Sequence, residues 1–545
     1  MLQLKEKKKS ELTISIVLTV LLLAFLGLVF YVNLSCNPEY YDGDMYADIR
    51  YAKVAWEAKS LFPKGWLFGN QIYVVATPVL AAFFYGMIHN GIMAMAVASC
   101  VMSVLIVLTF DWMMKAVFHY NERTAGFLVM VGVLLLKAHI ATGARGAQIL
   151  FTMASYYACY IITAFIVYGC YIRIRQKIFN KKQIPMAIIG VLLSFATGMQ
   201  SLRQTVIMTL PLIACEIIMT VIALIRDKKL YSLSSIIFTA VVSFANILGT
   251  LIIKKIPLQQ LTIYGDADFN SLLDIKSIIS KAILNFKYGI IGSFESTESS
   301  GIINLILPAA ALLIIFTAFV INLVKLVKSK AREDIDFAMN IMLFFSCASV
   351  LAVSVLSTVG CKTIYYFMIF ALLAQSIATV IKMFGKYYWV PECALAALFA
   401  LLIVVKGIGA YNEICADKEP TTQSYQIASY MTENGYDTLY SIFGLSWEDV
   451  SGESVVVASN DEIYLVQLRK TVDWEEDPTV EYLHVKDDYK SRQDDRSLFL
   501  FNSEEYAKAK IFFNKHNIRI IEEKQFGAMH LCKLSENICA LSWKK

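Results

Sequence analysis

"QIYVVATPVLAAFFYGMI", residues 71–88, is the stretch on which the fold turns. It is apolar and nearly long enough to cross a bilayer, which takes about 20 residues of helix. Pro78 interrupts it, and a crossing here would set every later loop against its charge. The segment is therefore read as an interfacial or re-entrant helix, broken near Pro78, that lies along the membrane without traversing it. The surroundings are clearly membranous. Of 545 residues 57% are hydrophobic and 17% charged, and the mean hydropathy is +0.57, far from the composition of a soluble globular protein.

Basic residues mark the cytoplasmic ends of spans. Lys5, Lys7, Lys8 and Lys9 precede the first apolar run and place the amino terminus inside. The later clusters are Lys115 with Arg123, Arg173 to Lys182, Arg226 to Lys229, Lys325 to Arg332, and Lys382 with Lys386. Eleven spans fit between them: 13–33, 91–110, 124–138, 148–170, 184–198, 206–225, 232–252, 302–324, 337–357, 366–381 and 389–410. An odd count carries the chain outside. Spans 124–138 and 184–198 are short, and Lys254 and Lys255 fall outside, where lysines snorkel. The expected fold is a membrane all-α domain, residues 1–410, with external segments 34–90 and 254–301, followed by a soluble extracytoplasmic mixed α/β domain, residues 411–545.

In that tail, strands are expected at 438–443, 454–459, 497–502, 518–523 and 528–534. Helices are expected at "TTQSYQIASYMTENG", ended by Asn434-Gly435, and at "SEEYAKAKIFFNKHN", capped by Ser503. The polar region 470–496 is read as a flexible loop. No CxxC or Cys/His metal spacing occurs; Cys532 and Cys539 either pair or stay free thiols. No basic stretch interleaves with aromatics, which argues against nucleic acid as a partner.

Chemistry is sought at the outer membrane edge. In "YYDGDMYADIRYAK", residues 40–53, three carboxylates follow the first span: Asp42, Asp44 and Asp48. Met45, Ile49, Ala52 and Trp56 recur at helical spacing and mark an amphipathic interfacial helix. Asp42 or Asp44 either caps this helix or serves as a general base. Cations lie in three other outer loops: His139 and Arg145, then Arg203, then Lys362 beside Tyr365 and Tyr366. Each alone fits a snorkelling side chain, but together they make a phosphate cradle. Gly143 and Gly146 flank Arg145 and allow close approach of a ligand or of a neighbouring helix. Asp266 and Asp268 are a weak divalent-cation pattern, and Glu216 is the main carboxylate within a span.

This layout resembles the GT-C membrane glycosyltransferases that use polyprenyl-phosphate sugars, and is similar to that of the aminoarabinose transferases and protein O-mannosyltransferases. The likeness covers residues 1 to about 410. Asp44 stands where such enzymes carry the Asp of an acidic pair, with Met45 in place of the Glu, so the choice between Asp42 and Asp44 as base stays open. "GMQSLRQTVIMTLP" puts Arg203 in the place of a cation that contacts the lipid phosphate, and "CKTIYYFMIF" puts Lys362 in a later cationic place. A second acid expected between the third and fourth spans is missing from "HIATGARGAQ", so a divalent cation (Mg or Mn) is left as an open requirement. The resemblance implies an inverting hexosyl or pentosyl transfer at the outer face of a bacterial cytoplasmic membrane. The acceptor is a glycan, lipid or protein. An Asp acts as base, and Arg203, Lys362 and Arg145 hold the departing phosphate; Tyr365 and His139, from their place in the same outer loops, are added as substrate-binding residues. The alternative is a transporter or flippase of a small solute or lipid-linked glycan.

Overall fold

The computed structural model describes residues 2–36, 41, 43–64, 66, 68, 71–137, 154–228, 232–257, 275–294, 302–328, 334–357, 362–384, 389–416, 422–442, 450–468 and 494–537. Among the described residues its membrane part is built of helices and the segments that join them. In chain order the helices are α1 (Leu2–Leu34), α2 (Gly43–Glu57), α3 (Thr77–Ile88), α4 (Gly91–Met114), α5 (Tyr120–Lys137), α6 (Ala154–Arg175), α7 (Ile184–Gln200), α8 (Leu210–Asp227), α9 (Leu233–Ile253), α10 (Ile275–Leu284), α11 (Ile302–Lys328), α12 (Asp334–Leu356), α13 (Met368–Met383) and α14 (Trp389–Ala416). A π-helical turn, Thr205–Thr209, leads into α8, another, Asn285–Ile291, extends α10, and a 3-10 turn, Thr363–Tyr366, leads into α13.

Among the described residues ten helices are long and apolar enough to cross a membrane. This is a multi-pass membrane protein. The expected span 124–138 falls in α5, which is not one of the ten because Glu122, Arg123 and Lys137 dilute it. It still packs along α13 and α14 within the bundle. The expected span 148–170 is shifted: α6 begins at Ala154 and runs to Arg175, and residues 148–153 lie outside the described ones. The helix α3 has 12 residues, a length of about 18 Å, too short to cross. Pro78 does not break it; it stands in the first turn, where a missing N–H costs no helical bond.

Several of the cluster residues meet carboxylates at one end of the bundle. Arg123 pairs with Asp111, Arg175 lies 3.5 Å from Glu216, and Lys382 and Lys325 lie 3.1 and 3.6 Å from Asp336. Arg173 stacks on Trp112 at 4.0 Å. Glu216 also accepts from Ser235 at 3.1 Å, so it ties α6, α8 and α9 together.

After α14 the chain forms α15 (Gln423–Glu433), β1 (Thr438–Ile442), α16 (Gly452–Ala458), β2 (Tyr464–Leu468), β3 (Ser497–Asn502), α17 (Ser503–Lys515), β4 (Ile520–Phe526) and β5 (Met529–Leu534). The sheet order is β2-β1-β3-β5-β4, with β1 parallel to β2 and β3, and β5 antiparallel to β3 and β4. Its core is separate, built on Ile427, Leu439, Val455, Leu500, Phe513 and Leu531. Residues 454–459, expected as a strand, form the helix α16 up to Ala458, with Ser459 as its C-cap. There the hydroxyls of Ser451 and Ser454 cap each other's backbone N–H at 3.1 and 2.9 Å, and this capping box overrides the β-branched valines. The strand β2 was not foreseen. Helix α17 is capped by Asn502, whose side chain accepts from the Glu505 N–H at 2.8 Å, and not by Ser503. Cys532 is a buried free thiol in β5; Cys539 and residues 469–493 lie outside the described residues.

Candidate active site

The site is built at the opposite end of the bundle from the basic clusters. Helix α2 opens it. Asp44 lies inside the first turn of α2, where its charge suits the helix dipole, and is half-buried. Met45, Ile49 and Ala52 are buried as their spacing required, but Trp56 is 42% exposed. Asp48, one turn after Asp44, is 0% exposed, a burial that its charge and spacing do not announce. A buried carboxylate needs a donor, and Tyr73 supplies it: its hydroxyl donates to Asp48 Oδ1 at 2.5 Å. The Tyr51 ring lies edge-on to Tyr73 at 4.7 Å. Burial, and secondarily the Asp48 charge, push the Tyr51 phenol well above its usual range.

Tyr73 belongs to a strap, residues 71–76, that runs between α2 and α3. Gln200, the last residue of α7, holds it: its carbonyl accepts from the Ile72 N–H at 3.1 Å, and its Oε1 accepts from the N–H groups of Val74 and Val75 at 3.2 Å each. Arg203 follows directly, before the π-helical turn. Its Nη1 donates to Gln71 Oε1 at 3.1 Å, and its guanidinium lies 5.5 Å from the centre of the Tyr157 ring. Tyr160 donates to the same Gln71 oxygen at 3.0 Å. The widened turn is fixed by Asn246 of α9, which accepts from Thr205 and Thr209 at 2.7 and 3.1 Å. Such π-helical turns accompany functional sites because they shift a helix face without ending the helix.

Tyr157 joins the last part. Its ring is 5.1 Å from Phe367, which closes the 3-10 turn begun after Lys362. Lys362 is exposed and Tyr365 half-buried, while Tyr366 turns inward and donates to Asn285 Oδ1 at 3.0 Å. Lys281 of α10 lies at this end too, donating to the Ser357 carbonyl at 2.9 Å.

Of the residues singled out by sequence, Asp44, Arg203, Lys362 and Tyr365 therefore share one end of the bundle. Asp42, His139, Arg145, Asp266 and Asp268 lie outside the described residues. Sequence reasoning passed over Gln71, Tyr73, Tyr157, Gln200 and Lys281. A signal existed for Gln71 and Gln200, amides at the ends of apolar runs; Asp48 was legible only as one carboxylate of three. Among the described residues no group of three or more His, Cys, Asp or Glu side chains converges.

No protein-family model matches the chain, and no curated protein does. Solved structures do. ArnT from Cupriavidus metallidurans bound to undecaprenyl phosphate aligns over 94% of this chain and 97% of its own at 9% identity, with a TM-score of 0.50. An oligosaccharyltransferase from Archaeoglobus fulgidus in complex with Zn and sulfate aligns over 90% of this chain and 69% of its own at 12% identity, TM-score 0.48. The apo state of the Cupriavidus ArnT aligns at 10% identity over 96% and 98%, TM-score 0.40. With its multi-span bundle, short helices α2 and α3 and C-terminal sheet domain, the chain shares the overall fold of ArnT.

Proposed function

We propose that this protein is a membrane glycosyltransferase that moves a sugar, with inversion, from a polyprenyl-phosphate donor to an acceptor hydroxyl at the outer face of a bacterial cytoplasmic membrane. The observation that carries this reading is the shared scaffold of acid and cation. Tyr73 ties α2 to the same strap that Gln71 ties to Arg203, so the helix bearing Asp44 and the arginine cannot move independently. The ArnT of the same fold holds undecaprenyl phosphate, and this class of lipid is the donor carrier assigned here.

Asp44 is the base, with Asp42 as its neighbour; half-buried, it can meet both solvent and substrate, whereas Asp48 is fully covered and holds α2 in place. The Asp44 carboxylate takes the proton of the acceptor hydroxyl as that oxygen attacks the anomeric carbon. The bond from anomeric carbon to phosphate oxygen breaks with its electron pair leaving on the phosphate. Arg203 and Lys362, with Arg145, offset the negative charge, and the partial exclusion of water at the bilayer edge strengthens that attraction. Tyr365, and His139 from the neighbouring outer loop, are assigned to substrate binding. The C-terminal sheet domain packs on α2 at this end and, on this reading, lies on the outer side.

The test is transfer from undecaprenyl-phosphate-linked sugars in membranes carrying Asp44→Asn, Asp42→Asn or both. Removing a general base costs about 10²–10⁴-fold in rate. Transfer at the wild-type rate in both single variants and in the double variant refutes the base assignment.

A further inference from the structure

Gln71 is only 1% exposed, and the orientation of its amide is fixed by chemistry. Its Oε1 receives Arg203 Nη1 and the Tyr160 hydroxyl. A guanidinium only donates, so the oxygen has to face it, and the Nε2 is turned to the other side. That nitrogen is buried and has no hydrogen-bond partner among the described residues. Native proteins rarely leave a buried amide donor empty-handed, and where they do a ligand or water is the usual acceptor. The backbone beside it is already committed: the N–H groups of Ile72, Val74 and Val75 are spent on Gln200. The strap is therefore rigid, and it aims two free N–H bonds past a cation.

We propose that Gln71 contacts substrate: its Nε2 and the Arg203 guanidinium together form a two-donor cradle for an oxyanion. The chemistry recognised is a phosphate oxygen. On the transferase reading, on which only the ligand's identity rests, this oxygen belongs to the lipid-linked phosphate. Arg203 supplies charge and Gln71 supplies direction. Because the same amide also accepts from Arg203, loading the Nε2 fixes the arginine in its place.

The experiment uses the full chain in lipid nanodiscs, titrated with undecaprenyl phosphate and separately with inorganic phosphate. Gln71→Glu is the informative variant, since it preserves shape and the oxygen that serves Arg203 and Tyr160 but replaces the donor with a second acceptor. Its ligand-free melting temperature should match or exceed the wild type, while undecaprenyl phosphate affinity falls roughly tenfold to hundredfold, the worth of a hydrogen bond to a charged group. Affinity equal to wild type overturns the proposal. Arg203→Ala separates the two claims. If Arg203→Ala weakens binding and Gln71→Glu does not, only the role of Gln71 is lost; if neither weakens it, the lipid-phosphate reading of the site fails as well. Binding of inorganic phosphate in competition with the lipid assigns the cradle to free phosphate; its failure to compete assigns it to the lipid headgroup. Should Gln71→Glu not fold, Gln71→Met, of equal length, removes the donor together with the oxygen under Arg203 and Tyr160, and affinity equal to wild type in that variant overturns the proposal as well.

Discussion

Carboxylates decide much of this protein's behaviour residue by residue, and they do so through their donors. Asp48 survives burial because Tyr73 reaches it. On the C-terminal domain Glu522 is served by the hydroxyls of Tyr430 and of Tyr436, the latter at 2.7 Å. These donors, Tyr430 first, hold the Glu522 carboxyl below its ordinary value; the Tyr430 phenol is pushed up to about 12 chiefly by its bond to Glu522, and the Tyr436 phenol to about 12 by burial first and then by that bond. A carboxyl lowered by folding adds stability that is present above the unfolded value, about 4.3 for Glu, and that is lost as pH falls through the folded value. Replacing Tyr430 and Tyr436 together by Phe should therefore lower the melting temperature of the C-terminal domain near pH 7, and this deficit should shrink on acidification toward pH 3. A deficit of constant size across that range would show that the hydroxyls do not act through the carboxylate. The sequence carried no hint of this triplet, because Glu522 is about ninety residues from both tyrosines and only sheet formation brings β4 under α15.

Elements meet where side chains are small. Helices α7 and α9 cross so closely that a Cβ at Gly249 would sit 2.1 Å from the Phe195 carbonyl oxygen, and one at Gly198 2.2 Å from the Asn246 carbonyl oxygen. Backbone cannot step aside as a flexible side chain can, and membrane helices use small residues for this kind of approach. The crossing also delivers Asn246 to the turn after Arg203. Gly249→Ala is expected to cost about 1–3 kcal/mol or more of packing energy and to reduce the yield of monodisperse protein in detergent extraction. Normal yield and melting temperature would mean that α7 and α9 can separate without harm. At this scale hydropathy located the long helices well, since an apolar run in a bilayer has to satisfy its backbone internally. It failed at residues 454–459, where three valines look like a strand until Ser451 and Ser454 cap a seven-residue helix.

For the molecule as a whole, the C-terminal domain rests on α2. Val457 of α16 joins the core of the membrane domain, and Lys53 of α2 lies 3.4 Å from Asp461. Asn460 and Asp461 both have positive φ, 52° and 62°, a conformation that Asn and Asp tolerate better than other side chains and that here presents the carboxylate to the lysine. Asp461→Asn keeps that backbone preference and removes the charge. With both partners about a fifth to a quarter exposed, the expected loss is no more than about 1 kcal/mol, read as faster hydrogen–deuterium exchange in residues 44–57. The charge swap Lys53→Glu with Asp461→Lys should restore protection. Unaltered exchange in Asp461→Asn, or failure of the swap, would show that the domains meet without this contact.

By itself the sequence determined the membrane class, the positions of most spans, the split into a helical bundle and a mixed α/β tail, and the presence of acids and cations beyond the first span. Those features follow from local composition, because water and hydrocarbon sort residues one segment at a time. Only the tertiary structure decided which carboxylate is covered and which half-open, that Gln71 lies between Arg203 and Tyr160, and that Tyr73 couples α2 to α7. Such pairings join residues far apart in the chain, and hydrogen bonds between distant side chains leave no periodic trace along the sequence that encodes them.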